Sequence, residues 1–182
     1  SGSGNARIGS SALPSVSSEA GGLVVDFFAD TLDSTTWPRS GMDARAQYRR
    51  SLTSFGAEAS GSFARVGMGK AMTTGKNSVY LSVKASDVIS GSTMLDNLYT
   101  LGGFLRLSGL YPNQLIGERG GIARVMYYRE LTKFNLGSMT QRMFAGFSLE
   151  TGNVYNQGDP VTWASLRLSG SIFVGADTIL GP

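Results

Sequence analysis

The amino-acid sequence predicts an all-β fold of about seven to eight antiparallel strands. Apolar and polar side chains alternate at every second residue, which is the period of a strand and not of a helix. Turn-forming residues separate the alternating segments. The sequence has no run of about 18 apolar residues, so it predicts no transmembrane helix. The predicted strands cover residues 23–30, 42–49, 62–70, 78–85, 123–130, 142–150 and 166–177, of which the third is the least regular.

Each predicted strand has one apolar face and one polar face. In the second strand, for example, Met42 and Ala44 alternate with Asp43 and Arg45. The polar faces carry both arginines and carboxylates, and we expect opposite charges to form ladders across neighbouring strands. The arginines near mid-strand are Arg45, Arg49, Arg65, Arg124, Arg142 and Arg167, and the acids are Asp26, Asp30, Asp43, Glu130 and Glu150.

The connections between the strands differ in length. Residues 74–77 (Thr-Gly-Lys-Asn) predict a tight hairpin between the third and fourth strands. Residues 87–120 form a long connection, and such a segment in a compact domain indicates either a function or a missed element of secondary structure. The break between the sixth and seventh strands is predicted by turn-forming residues, namely Gly152, Asn153, Gly158, Asp159 and Pro160.

The composition excludes several classes of function. The 182 residues contain 16 Lys and Arg against 13 Asp and Glu, and the net charge of +3 is too small to favour nucleic acid as a partner. The chain has no cysteine and no histidine, which excludes disulfides, thiolate ligands, the usual serine–histidine triad and most zinc sites. No Gly-x-Ser-x-Gly sequence is present. We therefore expect no catalytic residue, metal or cofactor in this chain.

Two architectures fit the alternation. A soluble β-sandwich or lipocalin-like barrel packs its apolar faces into a shared core, whereas a transmembrane β-barrel turns them toward lipid around a hydrated lumen. Mixed charges on the polar face, small residues on the apolar face and strands of about ten residues favour the membrane barrel. Four aromatic residues lie near predicted strand ends and are either members of interfacial aromatic girdles or ordinary strand and turn aromatics, namely Trp37, Tyr48, Tyr127 and Trp163. The alternation alone leaves both architectures open.

Several segments resemble the bacterial surface-antigen superfamily, which contains outer-membrane assembly factors and two-partner secretion transporters. Residues 30–41, with the sequences DTLDS and WPRSG, resemble its strand-turn-strand signature. Residues 101–109 (LGGFLRLSG) resemble the segment that enters its large sixth extracellular loop, and residues 120–131 (GGIARVMYYREL) resemble the strand after that loop. Residues 148–154 and 173–182 resemble the next two strands.

Within that superfamily, LGGFLRLSG, MYYREL and GADTILGP are most similar to the C-terminal barrels of patatin-like phospholipases, the type V, subclass d, autotransporters. The resemblance implies a 16-stranded antiparallel transmembrane β-barrel in the bacterial outer membrane. It also implies a patatin lipase passenger and a periplasmic domain on the N-terminal side. The expected partners are membrane lipids, that passenger or periplasmic domain, and the outer-membrane assembly machinery.

The resemblance also sets the expected domain organisation. Residues 22–182 would be the C-terminal half of the barrel without its last strands, and residues 1–21 a leading loop or partial strand. Open sheet edges are not tolerated in lipid. We therefore expect further strands, or a second copy of the chain in a homodimer, to complete the barrel.

The long loop and the wall facing it are the candidate site. The superfamily loop usually presents a Val-Arg-Gly tip, whereas residues 107–109 here read Leu-Ser-Gly and the arginine is Arg106. The resemblance suggests that Arg106 folds into the lumen and pairs with Glu150; the alternative is a solvated Arg106. An enzymatic interpretation would make Glu130 and Glu150 a catalytic carboxylate pair, but their setting among arginines favours structural ion pairs. The candidate lumen residues are Arg106, Glu130, Glu150, Arg124, Arg142 and Arg167.

Three functions follow from these interpretations. The first is an outer-membrane translocator or anchor for an N-terminal patatin-like lipase passenger, with no enzyme activity in this chain itself. The second is an assembly or two-partner secretion barrel of the same superfamily. The third is a soluble β-barrel that binds a ligand.

Overall fold

A computed structural model of the chain describes residues 21–57, 59–91, 98–136 and 139–177, and four two-residue strands nearer the N-terminus. Of these short strands, β1 (Gly2–Ser3) pairs with β4 (Ser17–Ser18), and β2 (Arg7–Ile8) pairs with β3 (Ser11–Ala12), both antiparallel. The remaining strands are, in chain order, β5 (Gly22–Asp30), β6 (Gly41–Ser51), β7 (Gly61–Thr74), β8 (Asn77–Gly91), β9 (Tyr99–Leu101), β10 (Leu115–Gly117), β11 (Arg119–Leu136), β12 (Met139–Tyr155) and β13 (Arg167–Asp177).

Seven of these strands form one antiparallel sheet, which confirms the all-β antiparallel class and the seven predicted strands. The strands of the sheet follow chain order, β5-β6-β7-β8-β11-β12-β13, and β9 and β10 lie in the connection between β8 and β11. β5 and β13 lie at its two edges, and β9 pairs with β10 outside the sheet. Short 3-10 helices at Thr53–Phe55 and Trp163–Ser165 lie in two of the connections. None of the described segments is a helix with the length and apolar character needed to cross a membrane.

One turn that the sequence predicts is present in the structure, and part of one predicted break lies inside a strand. Thr74 pairs with Asn77 across a two-residue turn in which Gly75 has a φ of 61°, so the predicted hairpin is confirmed. Gly152 and Asn153, which were expected to break the chain, instead lie inside β12. The reason is pairing with β11: the backbone at Gly121 approaches Gly152 so closely that a Cβ there would overlap its carbonyl. Ladder formation therefore overrides the local turn preference of these residues.

The sheet has two different faces. The apolar face remains exposed: Met68 is 64%, Val83 50% and Leu149 53% accessible. The polar face is covered over β11–β13 by two inserted segments, the turn at residues 31–40 and the loop at residues 98–118. The core of the described chain lies between the polar face and these inserted segments. The large members of the apolar face are Leu23, Val25, Phe27, Met42, Val66, Met68, Leu81, Val83, Val125, Phe147, Leu149, Leu168, Ile172 and Val174.

Candidate functional site

The tip of the loop at residues 98–118 is a compact turn. The Gly102 N–H donates to the Arg106 carbonyl at 2.7 Å, and the Arg106 N–H donates to the Gly103 carbonyl at 2.9 Å. Leu105 and Leu107 have positive φ values of 60° and 71°, which non-glycine residues rarely adopt. The buried Leu107 side chain helps to hold this conformation by packing beside Leu101. The result is a closed tip that presents Ser108 to the sheet.

Glu150 on β12 anchors the loop tip. Its carboxylate, only 1% accessible, accepts hydrogen bonds from the Ser108 N–H at 2.6 Å and the Ser108 hydroxyl at 2.8 Å. The Ser148 hydroxyl donates to the same carboxylate at 2.6 Å, and the Gly109 N–H donates to the Ser169 hydroxyl at 2.7 Å. Hydrogen bonds to an ionised carboxylate are the short and strong ones. The loop is therefore fixed to β12 through the buried charge of Glu150 and to β13 through the hydrogen bond between Gly109 and Ser169.

The predicted pairing of Arg106 with Glu150 is wrong. The Arg106 guanidinium is exposed and donates to the Thr100 carbonyl at 2.6 Å, within the loop itself. Burying a guanidinium against Glu150 would require desolvating a second charge. The N–H and hydroxyl of Ser108 supply charge-assisted donors without that penalty. Ser108 and Ser148 were not singled out from the sequence, because serine is too common on these strands to stand out.

Arg124 on β11 is a second contact between the sheet and the loop. It lies directly across from Glu150 in the β11–β12 ladder. Its guanidinium donates to the Leu105 carbonyl at 3.1 Å and lies over the Tyr80 ring, 5.6 Å from the ring centre. Arg124 is thus part of the predicted site, through a contact with the loop backbone.

Glu130 belongs to a different cluster. Its carboxylate forms an ion pair with Arg39 at 2.9 Å, and Arg39 also donates to the Gly75 carbonyl at 3.0 Å. Glu130 lies across from Phe144, six residues before Glu150 on β12, which corresponds to about 20 Å along a strand. Paired catalytic carboxylates are roughly 5–10 Å apart. This geometry supports the structural role of Glu130, and the sequence did not indicate Arg39 as its partner.

Among the side chains that the structure describes, the other predicted arginines form no ladder of ion pairs. Between described side chains, the ion pairs are Arg39–Glu130 and Arg119–Asp87, the latter at 3.5 Å. Arg142 lies across from Asp177 and Arg167 across from Gly152, both outside the loop contacts that the structure describes. Arg45 and Arg65 instead lie over the rings of Phe28 and Phe63, at 4.8 and 5.2 Å. Long arginine side chains on a solvated face bend onto neighbouring apolar surface more readily than they reach a distant carboxylate.

Trp37 in the turn at residues 31–40 is a second centre of packing. Its ring lies 5.5 Å from Tyr128, 5.2 Å from Phe144 and 5.5 Å from Phe173, measured between ring centres. The Tyr128 hydroxyl donates to the Pro38 carbonyl. Trp37 is therefore buried on the polar face, and its expected place in an aromatic girdle is wrong. Contact with the rings of Tyr128, Phe144 and Phe173 buries more of the indole ring than a position at a membrane interface would.

The two inserted segments enter from opposite ends of the strands and meet on the sheet. Phe173 contacts both Trp37 from the turn and Phe104 from the loop, the latter at 5.9 Å between ring centres. Leu105 of the loop also packs against the Trp37 cluster. The polar face of β11–β13 is consequently covered along its length.

No family model matches the chain, and no curated protein is significantly similar to it.

Proposed function

We propose that this chain is a wall segment of an outer-membrane β-barrel that serves as translocator or anchor for an N-terminal patatin-like lipase passenger. One observation carries the proposal: the apolar face of the sheet is exposed, while the inserted segments pack on the polar face. A soluble sandwich has the reverse arrangement, since its apolar faces form the core.

The size of the exposed apolar surface supports a lipid environment. Residues of the apolar face continue across all seven strands, from Phe27 on β5 to Ile172 on β13. Soluble monomers rarely expose contiguous apolar patches larger than a few hundred Å². Acyl chains solvate such a surface, and the charged polar face then lines the lumen.

On β8 and β11 the limits of the apolar face fit the thickness of an outer membrane, and Lys70 on β7, across from Leu81, is a charged residue inside them with a long side chain that can extend toward the membrane surface. On β8 the polar residues Asn77 and Asp87 flank the apolar face, and on β11 Arg119 and Arg129 do so. These limits pair across the ladder, Asp87 with Arg119 and Asn77 with Arg129. Ten residues span about 33 Å along a strand, and a tilt of about 40° reduces this to about 25 Å, the height of the apolar band in outer-membrane barrels.

The passenger and the 16-stranded barrel are supported by the family resemblance. Residues 101–109, 126–131 and 175–182 carry the similarity to the barrels of patatin-like autotransporters. The contact between the loop tip and Glu150 lies where that resemblance implies a contact between loop and wall. In the mechanism that we propose, the loop and the turn close part of the lumen, and release of Ser108 from Glu150 opens it.

Fractionation of cells that express the full-length gene tests this proposal. We expect the protein in detergent extracts of the outer membrane, with a gel mobility that changes on heating, and a Gly-x-Ser-x-Gly lipase motif upstream in the reading frame. A buffer-soluble protein without the mobility change would refute the barrel. A heat-modifiable barrel preceded by tandem periplasmic modules and no lipase would refute the passenger and favour the assembly or secretion barrel.

A further inference from the structure

The polar face of β6–β8 carries a group of exposed cations on three neighbouring strands. Arg45 on β6, Arg65 on β7 and Lys84 on β8 are all exposed on this face. We call these three residues the cationic cluster. They occupy the part of the polar face beside the inserted loop, where a solute has access.

The ladder gives the cationic cluster no acidic partner. Each of its three side chains has an uncharged residue directly across on both neighbouring strands. These residues are Phe28 and Gly67 for Arg45, Gln47 and Ser86 for Arg65, and Gly67 and Ile122 for Lys84. Because Gly67 has no side chain, the Lys84 stem lies over it, with its Cγ 3.4 Å from the place that a Cβ of Gly67 would take.

Nearby charges add to the positive potential. The charged side chains that influence Lys84 are three arginines, Arg124, Arg106 and Arg45, and one acid, Asp43. Asp43 already accepts a hydrogen bond from the Tyr80 hydroxyl at 2.9 Å. On β5, Asp26 and Asp30 flank the residue across from Arg45; Asp26 accepts a hydrogen bond from the Gln47 amide at 2.7 Å, and Asp30 accepts one from the Leu32 N–H at 2.9 Å. The cations therefore outnumber the acids around this surface, and each of these acids already accepts a hydrogen bond from another residue.

We propose that the cationic cluster binds a soluble oxyanion with two or more phosphate groups. The Arg45 guanidinium lies over Phe28 on β5, that of Arg65 lies over Phe63 on β7, and Lys84 extends from β8, so the three cations are spread over neighbouring strands and a ligand with several phosphates matches them better than a single phosphate does. Guanidinium and ammonium groups are the usual donors to phosphate oxygens, and linings of arginine and lysine favour anions in pores. The site uses three consecutive strands, so it goes beyond the proposed function and does not depend on closure of a barrel.

Calorimetric titration of the protein with tripolyphosphate in neutral detergent at low salt tests the proposal. We expect saturable binding that weakens by about tenfold or more in R45Q/R65Q/K84Q, as when three charge pairs of modest strength are lost together. Lys70→Gln is the matched control, since Lys70 lies on the opposite face of β7, and its binding should equal that of the wild type. Should the triple variant not fold, Lys84→Gln alone should weaken binding by about twofold to threefold.

Several outcomes would overturn the proposal: no binding, equal binding by the wild type and the folded variants, or an equal loss in Lys70→Gln. Phosphatidic acid added to the micelles should not compete, because the cluster lies on the face opposite the apolar one. Competition by that lipid would contradict the soluble ligand. A buffer-soluble protein that still binds tripolyphosphate at the cluster would refute the barrel and leave this inference standing.

Discussion

Glu150 shows how this chain stabilises a buried charge without an ion pair at contact distance. Three donors from Ser108 and Ser148 surround the carboxylate. Arg124, across the ladder, is close enough to interact electrostatically but makes its hydrogen bond to the loop backbone. The strength of the loop anchor therefore depends on the charge of Glu150 and on the placement of Ser108.

The first prediction concerns this anchor. Glu150→Gln removes the charge that strengthens the hydrogen bonds, so local opening of the loop should become easier by about 2 kcal/mol, or about 30-fold. Ser108→Ala keeps the N–H donor and should have about half that effect in free energy. The measurement is the rate of tryptic cleavage after Arg106, which is exposed at the tip.

Arg106→Lys is the matched control for the anchor. It keeps a trypsin site and a positive charge but changes the contact with the Thr100 carbonyl, which is exposed. We expect its cleavage rate to stay within about twofold of the wild type. Cleavage of this variant as fast as that of Glu150→Gln would contradict the assignment of the anchor to Ser108 and Glu150.

Asp33 gives the turn at residues 31–40 a pH dependence. Burial raises the pKa of the Asp33 carboxyl, but the N–H groups of Arg39 and Ser40 donate to it at 2.7 and 3.1 Å and bring the pKa below its usual value of 3.8. A lowered pKa means that the ionised form stabilises the turn above pH 3.8. This contribution is lost as the pH falls through the pKa of the folded state.

The second prediction is that Asp33 controls the loss of this turn at low pH. In a Trp163→Phe background, the fluorescence of Trp37 should report a stable turn from about pH 7 down to pH 3.8 and a loosened one only below that value, as the pH falls through the lowered pKa of Asp33. Asp33→Asn should remove this part of the acid dependence. An identical acid transition in the wild type and Asp33→Asn would show that another group controls the turn.

At the scale of elements, the turn at residues 31–40 is held by the packing of Trp37 over β13. Gly175 lies directly beneath the indole ring, and a Cβ there would overlap it. The Arg39–Glu130 ion pair and the hydrogen bond from the Thr73 hydroxyl to the Arg39 carbonyl, at 2.7 Å, fix the same turn to β7 and β11. The close packing at Gly175 makes this turn sensitive to a single methyl group.

The third prediction uses that close approach. Gly175→Ala should destabilise the protein by about 1–3 kcal/mol through overpacking. In a Trp37→Ala background the same change should have an effect of less than about 1 kcal/mol, since the ring is gone. Urea unfolding of the wild type, the two single variants and the double variant measures this cycle. Additive effects on the free energy of unfolding would show that overlap with the Trp37 ring is not the reason why Gly175→Ala destabilises the protein.

The alternation of apolar and polar residues was sufficient to predict all seven strands, because one face of each strand differs in polarity from the other. It did not predict that β12 continues through Gly152, since pairing with β11 decides that point. Glu150 and the loop were found from the sequence, but the partner was not. Which loop atom reaches a carboxylate depends on backbone geometry at Leu105 and Leu107, and no sequence pattern encodes it.

At the scale of the whole molecule, the chain is organised as a sheet with its core on the charged side. Trp37 from one end and Phe104 from the other meet at Phe173, so the inserted segments support each other as well as the sheet. The apolar face is left without a protein layer among the described residues. The proposed function assigns that role to lipid.

The most direct test of this account is the environment of successive residues on β8. The sequence contains no cysteine, so single spin labels can be placed at residues 78–86 and the protein reconstituted in bilayers. We predict oxygen accessibility with a period of two, highest at Val79, Leu81 and Val83, and accessibility to a water-soluble nickel chelate highest at Lys84. Greater accessibility of Leu81 and Val83 to the nickel chelate than to oxygen would contradict the placement of the apolar face in lipid.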